Sequence, residues 1–192
     1  MKQIRLARRE DAAALLAIYR PYIMDTYITF EWDDPGEEAF ANRIASALSR
    51  YPYLVYEEDG RILGYAYAGQ QMDRTAYDWN AVLSIYVDQS ERSKGIGPKL
   101  YGALLDLLQR QEVRHVYALI SAPNPPSEAF HAKMGFDRLA LFPQMGYKFG
   151  SWWGILWMGK QLNPLDDPAP FRPFPELSAE EIAAVLKQYK EE

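Results

Sequence analysis

"VDQSERSKGIGPKLYGALL", Val87 to Leu105, runs from the end of an apolar strand through a basic, glycine-bearing turn into an amphipathic helix. That order makes an anion site in outline. Gly95 and Gly97 let backbone N–H groups approach a phosphate closely, the helix behind them presents its positive end, and Arg92, Lys94 and Lys99 add charge. Ser93 and Ile96 complete the turn, and Pro98 suits a first helical position, where no N–H is needed. The spacing is neither a P-loop, because no Gly-Lys-Ser/Thr follows, nor G-x-G-x-x-G. Nucleoside triphosphates and dinucleotides are thereby excluded.

Outward from this turn the chain alternates strands and helices. "AVLSIYVD" (81–88) precedes it as a strand, with Val82, Ser84 and Tyr86 sharing one face. Upstream, "YLVYEED" and "RILGYAYAG" are strands joined across Asp59-Gly60, a strong hairpin signal. Downstream, "GPKLYGALLDLLQRQEV" is the clearest helix, followed by the strand "HVYALIS", the helix "PSEAFHAKMG" and the aromatic strands "YKFG" and "SWWGILWMGK". At the start, "QIRLA" alternates like a strand and "REDAAALLAIYRPYIM" is helical until Pro21, which should interrupt it. "DTYITFEWDDPG" turns at Pro35-Gly36, and "EEAFANRIASALSRY" is an amphipathic helix opening with acids. The expected class is α/β.

A chain of 192 residues holds one sizeable domain. From Asn163 the character changes to "NPLDDPAPFRPFPELS", which is too proline-rich for regular helix or sheet, and a short helix should begin at Ser178 with Glu181 completing a capping box. The expected division is a domain over 1–162 and a tail over 163–192. A net charge of −5 argues against broad nucleic-acid binding. With no cysteine and two histidines, disulfides, thiolate nucleophiles and multi-histidine metal sites fall away, and a reducing cytoplasm fits. No apolar run approaches the roughly 20 residues that span a bilayer, and the N-terminus lacks the apolar core of a signal peptide.

Arg92-x-x-Gly95-x-Gly97 resembles the pyrophosphate-binding turn of the GNAT superfamily of N-acetyltransferases. Asn124, Ser127, His131 and Gly135-Phe136 reproduce N-x-x-S-x-x-x-H-x-x-x-G-F, similar to the second half of that cofactor site. "RYPYLVYEEDGRILGYAYAG", Arg74 and "AYDW" (76–79) resemble the phosphinothricin acetyltransferase subfamily, and the likeness covers roughly residues 2 to 160.

The resemblance implies an α+β fold whose mixed central sheet contains a splayed strand pair flanked by helices, with acetyl-CoA as cosubstrate and no metal. It implies that the main chain of Ile85, Tyr86 and Val87 binds the pantetheine arm and that Arg92 to Pro98 hold the pyrophosphate. Asn124, Ser127 and Lys133 are implied as further cofactor contacts. The acceptor pocket would come from Thr29 and Phe30, from Arg74 to Tyr77, from Val82 and from "GYKFGSW". Arg74 suits a carboxylate, which a guanidinium binds through two parallel hydrogen bonds. His131 would lie near the sulfur, where an imidazolium can protonate the departing thiolate.

Two departures stand out. Val82 occupies the place of the subfamily's strand glutamate, and Gly154 the place of an aspartate. The expected consequence is a more apolar acceptor pocket, with Ser84 or Tyr86 ordering a water and Glu31 or Asp78 as the remaining local carboxylates. The expected function is direct acetyl transfer to the amine of an amino acid or analogue such as phosphinothricin or methionine sulfone. The alternative is a catalytically silent acyl-CoA-binding protein. The resemblance also implies a homodimer with the acceptor site near its interface.

Overall fold

The computed structural model describes residues 2–190; Met1, Glu191 and Glu192, the outer ends of the two expected segments, lie outside the described residues. Its strands are β1 (Lys2–Leu6), β2 (Tyr53–Glu58), β3 (Arg61–Gln70), β4 (Asn80–Val87), β5 (His115–Ala122), β6 (Asp137–Lys148) and β7 (Ser151–Gln161). The helices are α1 (Ala12–Asp25), α2 (Glu37–Leu48), α3 (Ile96–Arg110), α4 (Pro125–Lys133) and α5 (Ala179–Lys187). One sheet runs β1-β2-β3-β4-β5-β7-β6, antiparallel except where β4 meets β5. A parallel neighbour requires a long crossover, and α3 supplies it.

Period-2 alternation sends the side chains of β2 and β3 to two separate cores. On β2, Leu54 and Tyr56 join the core under α3, while Tyr53 and Val55 join the one under α1 and α2. Leu100, Leu104, Leu107 and Leu108 of α3 are fully buried against the first face, and Leu15, Leu16 and Ile23 of α1 with Ile44 of α2 close the second. Among the described residues no helix is long and apolar enough to cross a membrane.

Three sequence expectations need correction. Pro21 does not end α1, which continues to Asp25. An interior proline costs about 3 kcal/mol, and the turn beyond it buries Tyr22 and Ile23, which offsets that cost. Pro98 is the third residue of α3 rather than the first, still inside the turn whose N–H groups have no helical partner. β6 begins at Asp137, far ahead of "YKFG", because residues 137–145 are exposed on both faces and carry no alternation to read. A register shift between Phe142 and Gly146 bulges this strand, and the bulge passes over Gly154: a Cβ there would meet the Phe142 carbonyl at 3.1 Å.

The tail packs on the domain. Phe174, Leu177 and Val185 are buried with α3, and Ser178 and Glu181 form the expected capping box at α5. Gly102, in the middle of α3, is explained by this packing, since a Cβ there would lie 2.7 Å from the Tyr189 ring.

Candidate active site

β4 and β5 stay paired only from Asn80↔His115 to Leu83↔Ala118. Beyond that point β4 remains on β3 as far as Val87, and β5 remains on β7 as far as Ala122. The strands therefore part, and the β5-facing backbone groups of Ser84 to Val87 have no ladder partner. Peptide groups in that condition recruit a ligand or water. Backbone groups alternate sides along a strand, so Ile85 and Val87 present theirs to this free edge, whereas Tyr86, opposite Tyr65, turns its own toward β3; Tyr22 of α1 donates from its hydroxyl to the Val87 carbonyl at 2.6 Å.

The glycine turn sits at the mouth of the opening. Asp88 accepts from the Ser90 N–H and hydroxyl at 2.9 and 2.7 Å, Ser93 and Gly95 take positive φ of 66° and 80°, and no side chain caps α3. Gly95 answers the backbone demand of that left-handed step. Gly97 answers a packing demand: a Cβ would meet Phe130 of α4 at 3.2 Å and Ile85 at 3.7 Å. The N–H groups of Ile96 and Gly97 are left without a side-chain cap at the positive end of the helix, a setting that favours negative charge. Arg92 lies 5.3 Å from the Tyr22 ring, and Lys94 pairs with Glu91 at 2.7 Å.

Asn124 caps α4, its Oδ1 accepting from the Ser127 N–H at 3.3 Å, which leaves the amide nitrogen as the atom able to reach a ligand. Lys133 is exposed in the last turn of α4. His131 turns the other way. It is 4% exposed and lies among Phe130, Phe136 and Tyr101. Its Nδ1 lies 2.8 Å from the Ser127 carbonyl and so carries the proton, which leaves Nε2 to accept from the Tyr101 hydroxyl at 3.0 Å. Burial pushes the imidazole below its usual value, against the opposing hydrogen bond to the Ser127 carbonyl. His131, expected to lie near the sulfur, is thus a neutral ring with both nitrogens engaged, and it ties α4 to α3.

On the α1 face, Val82, Ser84 and Tyr86 lie opposite Gly69, Tyr67 and Tyr65. A Cβ on Gly69 would meet nothing within 4 Å, so the space beside Val82 is open. Ser84 lies across the ladder from Tyr67, and Tyr86 packs edge-on to Tyr19 and Tyr22. Burial raises the Tyr86 phenol well above 10, so it is a neutral hydrogen-bonding group.

The segment between α1 and α2 roofs this face. Lys148, 1% exposed, donates from Nζ to the carbonyls of Ile23 at 2.6 Å and Thr29 at 2.9 Å. Tyr27 stacks on Trp153 with ring centroids 3.7 Å apart, and the Phe30 ring fills the space that a side chain on Gly146 would need. Glu31 accepts a hydrogen bond from Arg43 and lies near Tyr19, whose hydroxyl hydrogen-bonds Thr29 at 2.6 Å. Burial pushes the Glu31 carboxyl up, but the Arg43 hydrogen bond, the nearby Tyr19 hydroxyl and the Arg43 and Lys148 charges outweigh it and hold it below the usual value. Arg74 is exposed at the head of the turn Thr75–Tyr77, with Tyr77 half-buried. Asp78 is taken up by Arg50 at 2.7 Å, away from Glu31. Tyr19, Arg43 and Tyr67 were not foreseen; the tyrosines read only as strand and helix core, and Arg43 as one more charge on the polar side of α2.

The parted parallel strand pair thus has an uncapped helix end on one side and the Thr29–Glu31 segment with its polar side chains on the other. The acetyltransferase (GNAT) domain model matches residues 4–157, and the chain belongs to this family. It is 31% identical to phosphinothricin N-acetyltransferase of Streptomyces viridochromogenes, over 91% of this chain and 96% of that one. It is 34% identical to the L-amino acid N-acyltransferase MnaT of Escherichia coli, over 86% and 96% of the two chains. The crystal structure of a GNAT superfamily phosphinothricin acetyltransferase from Sinorhizobium meliloti in complex with acetyl-CoA superposes with a TM-score of 0.85 at 30% identity, covering 91% of this chain and 96% of that one.

The His131 geometry has a pH signature. Its folded value lies below the ordinary 6.5, so its contribution to stability is complete above about 6.5 and is lost as pH falls through the folded value. Urea midpoints measured between pH 8 and pH 5 should fall with pH in the wild type and fall less in His131→Gln. Equal slopes would remove the buried neutral imidazole from the account.

Proposed function

We propose that the cleft passes the acetyl group of acetyl-CoA directly to the amine of a small amino-acid-like molecule, with the cofactor on the free edge of β4 and the acceptor under the Thr29–Glu31 roof. That the chain is an acetyl-CoA-dependent N-acetyltransferase follows from its family. The observation that carries the arrangement is the two-sided opening after Leu83. Relatives named for phosphinothricin, L-amino acids and L-methionine sulfoximine or sulfone support an amino-acid-like acceptor. Val82 beside open space at Gly69 favours an acceptor with an apolar side chain, and Arg74 supplies the carboxylate partner.

The amine nitrogen attacks the thioester carbon, the C–S bond breaks, the amine gives up one proton and the thiolate gains one. An α-amine has a pKa of about 8, so a useful fraction is neutral near pH 7 to 8. Glu31, held as a carboxylate, attracts the ammonium form and accepts an N–H hydrogen bond from the neutral one. Because its carboxyl lies below the usual range, it passes the proton on to water. Ser84 and Tyr86, neutral hydroxyls on the same face, orient that water. Main-chain N–H groups of the β4 edge polarise the thioester carbonyl. Residues 1–162 would form this catalytic domain, and the cysteine-free chain would work in the cytoplasm.

Glu31→Gln should lower kcat/KM for the acceptor by about ten- to a hundredfold, the worth of one hydrogen bond to a charged group. The acid limb of the pH–rate profile should stay near the amine's own pKa in both proteins. A wild-type limb below pH 6 that vanishes in Glu31→Gln would make Glu31 a titrating base instead.

The edge strand β6 exposes Leu139, Leu141, Phe142, Met145 and Tyr147 beside Trp152 of β7, each at least 45% exposed. An apolar edge with an unpaired outer ladder invites pairing, and we assign it to a second copy of this chain. Light scattering should give twice 22.1 kDa, and Leu141→Lys should shift the protein toward the monomer. A wild-type monomer at working concentration would contradict the assignment.

A further inference from the structure

The segment after β7 does more than cover α3. Its stretch Ala169–Phe174 reaches the turn of residues 74–79, which connects β3 to β4 and carries Arg74 and Tyr77. Trp79 donates its indole N–H to the Ala169 carbonyl at 2.8 Å. Asp78, the next residue back, pairs with Arg50 at 2.7 Å, and the same guanidinium lies 4.5 Å from the Phe171 ring. Tyr51 also packs against that ring, with centroids 5.6 Å apart, and its own ring lies 5.7 Å from the same guanidinium. The Trp79 carbonyl accepts from the Arg114 and His115 N–H groups at 2.8 and 3.2 Å, which fixes the turn against the start of β5.

The strap is in turn anchored to the end of α3. Gln111, fully buried, donates from Nε2 to the carbonyls of Arg50 and Arg172 at 2.9 and 2.8 Å, and its own carbonyl accepts from the Arg172 N–H at 3.0 Å. The Phe174 N–H closes the loop on the Arg50 carbonyl at 3.0 Å. Farther along, Arg172 makes two hydrogen bonds to Glu181 at 3.0 and 3.1 Å, and Tyr189 donates to Asp106 at 2.7 Å. Arg50, in the connection between α2 and β2, is the common node: it meets Asp78 of the turn, Phe171 and Phe174 of the strap, and Gln111 at the end of α3.

We infer that Phe171 and the Ala169 carbonyl are positioning elements for the acceptor turn: through Arg50–Asp78 and Trp79 they hold Arg74 and Tyr77 in register with the helix whose other end receives the cofactor. The inference rests on the reading that this turn faces the acceptor. A strap with a merely structural role would stabilise the whole chain evenly. A positioning strap acts locally, on one substrate and one segment.

Hydrogen exchange and steady-state kinetics on Phe171→Ala separate the two. Loss of the ring under Arg50 should speed exchange of the amides at 74–79 by roughly tenfold, the order expected of one cation–π contact, and leave the first turn of α3 unchanged. The acceptor KM should rise by a similar factor while the acetyl-CoA KM stays within twofold, and Phe171→Tyr should restore both. Trp79→Phe, which keeps an aromatic ring but removes the indole N–H bond to the Ala169 carbonyl, should reproduce the pattern if Phe171→Ala folds poorly. Exchange that rises evenly along the chain, or that is unchanged at 74–79, would overturn the inference. If no amine turns over in the wild type, the acceptor reading fails, and the exchange pattern still decides whether the strap holds the turn.

Discussion

Everything functional in this chain depends on one interruption of hydrogen bonding, the parting of β4 from β5 after Leu83↔Ala118. A sheet is stabilised by completing its ladders, so leaving Ser84–Val87 half-paired costs free energy unless something else takes the groups. What keeps the strands apart is packing. Ile85 and Phe130 close on Gly97 at the start of α3, and the buried Tyr101–His131 pair locks α4 beside it. The same wedge that opens the sheet points an uncapped helix end at the opening. The structural and chemical roles of this region are therefore inseparable.

The second constraint is the buried Lys148 ammonium. A charge taken out of water must be repaid by hydrogen bonds, and here the carbonyls of Ile23 and Thr29 supply them. The end of α1 and the roof are thus held by a residue more than a hundred positions away in sequence. Glu31 lies close enough for its charge to oppose the lowering of the lysine's pKa by burial. The roof is built around a compensated charge rather than around an apolar staple.

Much of this was legible in the sequence. The glycine turn, the Asp59-Gly60 hairpin and the Ser178–Glu181 box are local signals, and each appears where local physics puts it. What escaped depends on tertiary context. Residues 137–145 form a strand without an alternating pattern because neither face is covered, and Pro21 sits inside a helix because Tyr22 and Ile23 are buried beyond it. His131 matched a motif, yet its direction is set by Tyr101 and the Ser127 carbonyl, which no spacing rule reveals. Tyr19, Arg43 and Lys148 meet Glu31 and Thr29 only after three separate elements pack. The absent carboxylates at Val82 and Gly154 now have physical settings: one borders open space, and the other lies under a bulge whose Phe142 carbonyl would crowd a Cβ at 3.1 Å.

The central claim is that a cleft lacking the strand glutamate still transfers acetyl groups to amino-acid-like amines. Thiol release from acetyl-CoA, followed with methionine sulfone, a phosphinothricin-like compound, apolar amino acids and polyamines, tests it most directly. The account predicts saturable release with at least one amino-acid-like amine and none above background with polyamines. Tight acetyl-CoA binding without thiol release from any amino-acid-like amine would contradict it.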